Sequence, residues 1–110
     1  IGRNDGSIIP FCFSRIGGFW TRKGEVEIDI VASDDEGRIF FGECKLNGAR
    51  FTRGEAARLK EKAKAVKWRS ETREEHYALF CLDAPSERTR AALAGEGVAV
   101  HDLKSLLAER

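Results

Sequence analysis

The stretch from Glu25 to Leu46 constrains this chain most. Glu25-Val26-Glu27-Ile28-Asp29-Ile30-Val31 alternates acid and aliphatic through Ile30, the period of a strand with two unlike faces. On a regular strand Val26, Ile28 and Ile30 share one face, and Glu25, Glu27 and Asp29 share the other. Ser33-Asp34-Asp35-Glu36-Gly37 is a polar turn, and Arg38-Ile39-Phe40-Phe41-Gly42-Glu43-Cys44-Lys45-Leu46 is a second strand-type run. Two neighbouring strands follow, with three charged side chains at or near their ends.

The flanking segments build a domain around that hairpin. Phe19 and Trp20 end an earlier short strand, and Thr21-Arg22-Lys23-Gly24 turns the chain. Thr52-Arg53-Gly54-Glu55 has the form of a capping box, with Thr52 as N-cap and Glu55 at N3. The spacing of Ala56, Leu59, Ala63 and Val66 predicts a helix from about Arg53 to Arg69. Tyr77–Leu82 is a short apolar strand, and Ser86 starts a helix that runs through about Ala94. Val98–His101 is a last strand, with Asp102 capping a terminal helix from Leu103 to Ala108. Residues 1–13 carry Gly2, Gly6 and Pro10 among Ile8, Ile9, Phe11 and Phe13. They read as a loop returning to the core or as the tail of another element.

Hairpins followed by helical crossovers give an α/β or α+β domain, a mixed central β-sheet flanked by helices. A length of 110 residues suits one domain. The 42% hydrophobic content excludes a disordered chain, and no apolar run approaches a membrane span. A chain opening at Ile1 without any Met reads as a piece of something longer. Cys12, Cys44 and Cys81 are odd in number and lack metal-type spacing. They read as small buried hydrophobes in a reducing, cytoplasmic compartment.

Asp29, Glu43 and Lys45 can converge on one sheet face. Charges on a half-buried sheet require pairing or a metal to offset desolvation. The plain reading is an ion pair of Lys45 with Asp29 or Glu43 at a sheet edge, which is worth little. The chemical reading is a site for Mg²⁺ or Mn²⁺, hard cations that take oxygen ligands. Asp29 and Glu43 supply carboxylates, the Cys44 backbone carbonyl a third oxygen, and Glu27 a further candidate. The Cys44 thiol would then point away into the core. Lys45 would orient water or stabilise charge on a phosphate.

The block Glu27-Ile28-Asp29-Ile30-Val31-Ala32 with Phe41-Gly42-Glu43-Cys44-Lys45 resembles the PD-(D/E)XK nuclease superfamily. More narrowly, it is similar to the C-terminal nuclease-like domain of archaeal-type AAA ATPases, in which an aromatic strand like Gly18-Phe19-Trp20 precedes the acidic one. The resemblance spans roughly residues 16–95. It implies a restriction-endonuclease-like core and metal-dependent DNA hydrolysis. It makes Asp29 and Glu43 the metal ligands and Lys45 the catalytic lysine. An attached or associated ATPase domain is the implied partner, and a non-catalytic DNA- or protein-binding module is the alternative. Ile28 rather than Pro precedes Asp29, a departure that many superfamily members share and that leaves the implied mechanism intact, and the superfamily's leading helix is expected to be missing from this chain.

Net charge near zero gives no general argument for nucleic acid. The basic residues instead cluster locally. Arg53, Arg58, Lys60, Lys62, Lys64, Lys67 and Arg69 outnumber Glu55 and Glu61 on one predicted helix. That helix reads either as a phosphate-tracking surface for DNA or as a solvated face. Trp68 reads as a base-stacking residue or, more simply, as a core anchor. His76 and His101 read as strand-end residues. No Walker loop and no nucleophile signature are present.

Overall fold

The computed structural model describes residues 8–47, 51–102 and Lys104. The chain forms β1 (Arg15–Trp20), β2 (Glu27–Ser33), β3 (Arg38–Asn47), α1 (Arg53–Ala63), β4 (Glu74–Asp83), α2 (Glu87–Gly95) and β5 (Val98–Asp102). One five-stranded sheet carries the strands in sequence order. β1, β2 and β3 pair antiparallel, whereas β3, β4 and β5 pair parallel. The sheet is therefore mixed, and the domain is α+β.

The topology follows from the connections. A short turn can only return a strand antiparallel to its neighbour, while a helical crossover sets the next strand parallel. Successive crossovers of the same hand, stepping the same way across the sheet, place α1 and α2 on one face. Leu59 and Ala63 of α1 and Leu93 of α2 accordingly share a core with Ile39, Phe41, Leu79 and Val98. The opposite face is covered by the segment preceding β1. Its Ile9 and Phe11 are buried against Ala32, Phe40 and Ala78, so residues 8–13 are a loop that returns to the core.

The alternation along β2 does not hold throughout. Gly17 pairs with Val31 but Phe19 pairs with Ile28, so Asp29 and Ile30 together stand opposite Gly18. This is a β-bulge, which shifts side-chain parity by one. Ile28 and Val31 thus join the helix-side core, while Ile30 packs with the opposite cluster. Ile28 and Ile30 do not share a face, contrary to the regular-strand expectation.

Helix α1 ends at Ala63, short of the expected Arg69. Its last turn tightens, with the Ala65 and Val66 N–H groups donating to Lys62 O and Ala63 O. Arg69 then adopts a left-handed φ of 47°, which no helix continues through. The Arg73 guanidinium collects the carbonyls of Ala63, Val66 and Trp68. The Val66 and Trp68 carbonyls gain donors at the helix end in this way, and Ala63 O, which already accepts from Val66 N–H, gains a second. Thr52 caps the start by accepting from Gly54 N–H at 3.1 Å, and Ser86 caps α2 from Thr89 N–H. Trp68 is partly buried against the helix-side core. The expected helix from Leu103 to Ala108 falls outside the described residues.

Asp34 locks the β2–β3 turn. Its Oδ1 accepts from Glu36 N–H and Arg38 N–H, each at 2.9 Å, and its Oδ2 pairs with Arg38. Burial alone would raise this carboxyl, but the donors from Arg38 and Glu36 outweigh it and hold the pKa below its ordinary value. A depressed folded-state pKa stabilises above the unfolded value and fades as pH falls through the folded one. The stability gap between wild type and Asp34→Asn should therefore be full at neutral pH and shrink below the ordinary value of 3.8. Urea titrations at a series of pH values measure it, and a pH-independent gap contradicts the clamp.

Candidate functional site

β2–β3 pairing stops at Ile30 and Gly42, and the next residue on each strand is an acid, Asp29 and Glu43. The bulge places them. It lets Ile28 fill the core while Asp29, one residue on, reaches the Glu43 flank. The two acids clasp each other's strands. Cys44 N–H donates to Asp29 Oδ2 at 2.9 Å, and Asp29 N–H donates to Glu43 Oε2 at 3.4 Å. A strand residue sends its N–H and C=O to the same side. Cys44 therefore directs its carbonyl along the edge that carries Asp29.

Glu43 continues the helix-side face of Ile39 and Phe41, and it is the buried member of the pair. Burial pushes its pKa up, Lys62 pulls it down, and the neighbouring Asp29 carboxylate raises it again. The net shift is upward. Two like charges held together at a strand end store repulsion that an added cation would relieve.

The lysines do not pair as the simple edge reading expects. Lys45 pairs with Glu55 of α1, 3.6 Å away, rather than with Asp29 or Glu43. Glu43 pairs with Lys62 of α1. The Glu55 carboxylate, the expected N3 member of a capping box, is instead drawn to Lys45 and Arg58. Glu27 is exposed and lines a surface hollow with Asp29, Gly18, Phe19, Trp20 and Ile28.

The basic residues assigned to one phosphate-facing helix divide among several tasks. Arg58 pairs with Glu55, Lys64 with Glu61, and Lys62 with Glu43. Lys60 reaches the Glu96 carbonyl and lies over the Tyr77 ring. Arg53 is exposed at the N-terminus of α1, whereas Lys67 lies beyond its end. A continuous cationic stripe from 53 to 69 is absent because the helix stops at Ala63 and Lys62 faces the sheet.

The cysteines also differ from expectation. Cys81 is buried, but Cys12 and Cys44 are exposed. The Cys44 thiol lies in an apolar hollow with Leu46, Phe80, Leu82 and His101, not in the core. Desolvation, then the charges of Asp29 and Glu43, push its pKa up, which disfavours the reactive thiolate. His101 stacks on Phe80 and His76 lies against Phe11.

Lys62 and Glu55 are the site neighbours that the linear pattern did not assign. A signal for them existed. They lie two helical turns apart, with buried Leu59 between them, on one stripe of α1. Their charges are opposite to those of the Glu43 and Lys45 they meet across the sheet.

The donor set suits a hard cation. The Asp29 and Glu43 carboxylates lie together at the fork, oxygens of the type Mg²⁺ takes while keeping several waters in its own shell. Among the described residues no three His, Cys, Asp or Glu side chains gather at one point. The remaining ligands would therefore be water. No helix among the described residues is long and apolar enough to cross a membrane.

Residues 1–77 match the DUF234 family, described as archaeal and bacterial proteins of unknown function. No curated protein and no solved structure matches the chain.

Proposed function

Because the chain belongs to the DUF234 family of archaeal and bacterial proteins of unknown function, its activity is read from its site, and we propose a metal-dependent DNA endonuclease-like domain of the PD-(D/E)XK type. The supporting observation is the Asp29–Glu43 pair, clasped at the fork where β2 and β3 part. The order of strands and helices supports the reading of a restriction-endonuclease-like core.

Asp29, Glu43 and the Cys44 carbonyl would hold Mg²⁺ or Mn²⁺, with Glu27 as a more distant carboxylate. When bound, the cation would polarise the phosphate and lower the pKa of a water. Glu55 holds the Lys45 ammonium on the Glu43 side of β3. From there Lys45 stabilises the negative charge that grows on the phosphate. Exposed Arg53 and Lys67 add cationic contacts for a DNA backbone.

The second reading is a non-catalytic DNA- or protein-docking module that serves an attached ATPase. The Lys62–Glu43 pair favours it, since a retired site would keep such a contact as a structural ion pair. Calorimetry with Mn²⁺ and cleavage of end-labelled DNA in Mg²⁺ separate the two. The nuclease reading expects Mn²⁺ heat and cleavage, with Lys45→Ala lowering cleavage about 10²–10³-fold and leaving Mn²⁺ binding in place. Absence of both heat and cleavage, with salt-sensitive DNA binding retained, selects the docking module.

A further inference from the structure

Lys62 differs from the other cations of α1. Arg58 and Lys64 find acids on the helix itself. Lys62 crosses to the sheet, where its ammonium contacts Glu43 Oε1. The contact is sheltered: the Lys62 side chain is 28% exposed and that of Glu43 11%. Glu43 Oε2 is meanwhile held by Asp29 N–H. Both oxygens of the inner acid are thus engaged by the protein, one by a backbone amide and one by a flexible ammonium.

We infer that Lys62 is a tethered counter-cation, holding the Glu43 oxygen that a divalent ion needs and yielding it when that ion enters. This rests on the reading of Asp29 and Glu43 as cation ligands. The reasoning is electrostatic. Two clasped carboxylates require positive charge close by, and Lys62 supplies one unit of it. A divalent ion supplies two and binds oxygen directly. The two cations repel at contact distance, so they cannot share Oε1 without cost. The ammonium is the mobile partner, a point charge on a four-carbon stem. Lys45 is not available for this role, because Glu55 holds it. Lys62 therefore raises the divalent concentration at which the site fills, and it keeps the empty acid pair from forcing the fork apart.

The test is calorimetric titration of Mn²⁺ at fixed pH and ionic strength into wild type, Lys62→Met, Lys62→Arg and Glu43→Gln. Melting in chelator and in Mn²⁺ accompanies it. The inference expects Lys62→Met to bind Mn²⁺ about tenfold or more tightly than wild type, and Lys62→Arg to stay near wild type. It also expects Lys62→Met to melt lower in chelator and to gain more from Mn²⁺ than wild type does. Lys62→Gln, which keeps a donor for Glu43, replaces the Met variant if that one does not fold. Equal or weaker Mn²⁺ binding by Lys62→Met, or by Lys62→Gln in its place, with binding by wild type, overturns the inference and leaves the site reading intact. No Mn²⁺ uptake by wild type or variants, or unchanged uptake by Glu43→Gln, overturns both.

Discussion

Asp29→Asn is expected to abolish Mg²⁺-dependent cleavage, by about 10³-fold or more, while the fold survives. The fold survives because the asparagine Oδ1 can still accept from Cys44 N–H, the bond that Asp29 now takes at 2.9 Å. What disappears is the charge. A neutral amide oxygen is a poorer ligand for a hard cation, so Mn²⁺ affinity should fall by at least about 10- to 100-fold, the scale seen when even outer partners of a metal site are lost. Glu43 would keep the burial that raises its pKa but lose the like-charged neighbour that adds to it. The metal-free variant should melt no lower than wild type. Mn²⁺ calorimetry, DNA cleavage and thermal melting together check this. Unchanged heat and unchanged cleavage would remove Asp29 from the chemistry and end the hydrolytic reading.

Arg73→Ala carries the largest expected effect on stability, a loss of about 3–5 kcal/mol. The side chain is 3% exposed. Nη1 donates to Val66 O at 2.6 Å and to Trp68 O at 3.0 Å, and Nη2 donates to Ala63 O at 3.0 Å. Nε donates to Glu75 at 2.7 Å, and the guanidinium lies over the Phe41 ring. Truncation takes the guanidinium donor from the Val66 and Trp68 carbonyls, each such unsatisfied buried group costing about 1–3 kcal/mol, and removes a second donor from Ala63 O and one from Glu75, which keep Val66 N–H and the Tyr77 hydroxyl. A domain of this size is stable by only about 5–15 kcal/mol, so the variant should stand close to unfolding at room temperature. Arg73→Lys should recover little, because a point ammonium cannot reproduce a planar fork with fixed donors. Urea denaturation of the three proteins gives the comparison. A loss under about 1 kcal/mol would mean that water takes over those carbonyls.

Local signals and tertiary ones were unequally legible in the sequence. Element order and the Thr52 and Ser86 caps depend on neighbours within a turn or two, and those could be read directly. The end of α1 could not, because Ala63 and Val66 continue a helical stripe unbroken. Arg73, which takes the freed carbonyls, lies on the far side of an irregular loop. The bulge in β2 was hidden by a perfect acid–aliphatic alternation, since pattern records parity along a strand and not what the strand pairs with. Asp29 and Glu43 were findable because strands joined by a tight turn must be neighbours. Lys62 and Glu55 were harder. Their partners lie on another element, and an amphipathic helix gives no indication of which cation faces inward.

The bulge makes this fork intolerant of changes in residue number. Deleting one residue between Ile28 and Val31 would restore an even pleat, after which the segment could present either its aliphatic plug or its acid correctly, but not both. A point substitution of either residue touches one of these functions, whereas an insertion or deletion would break the hydrophobic seal and the chemistry in a single step.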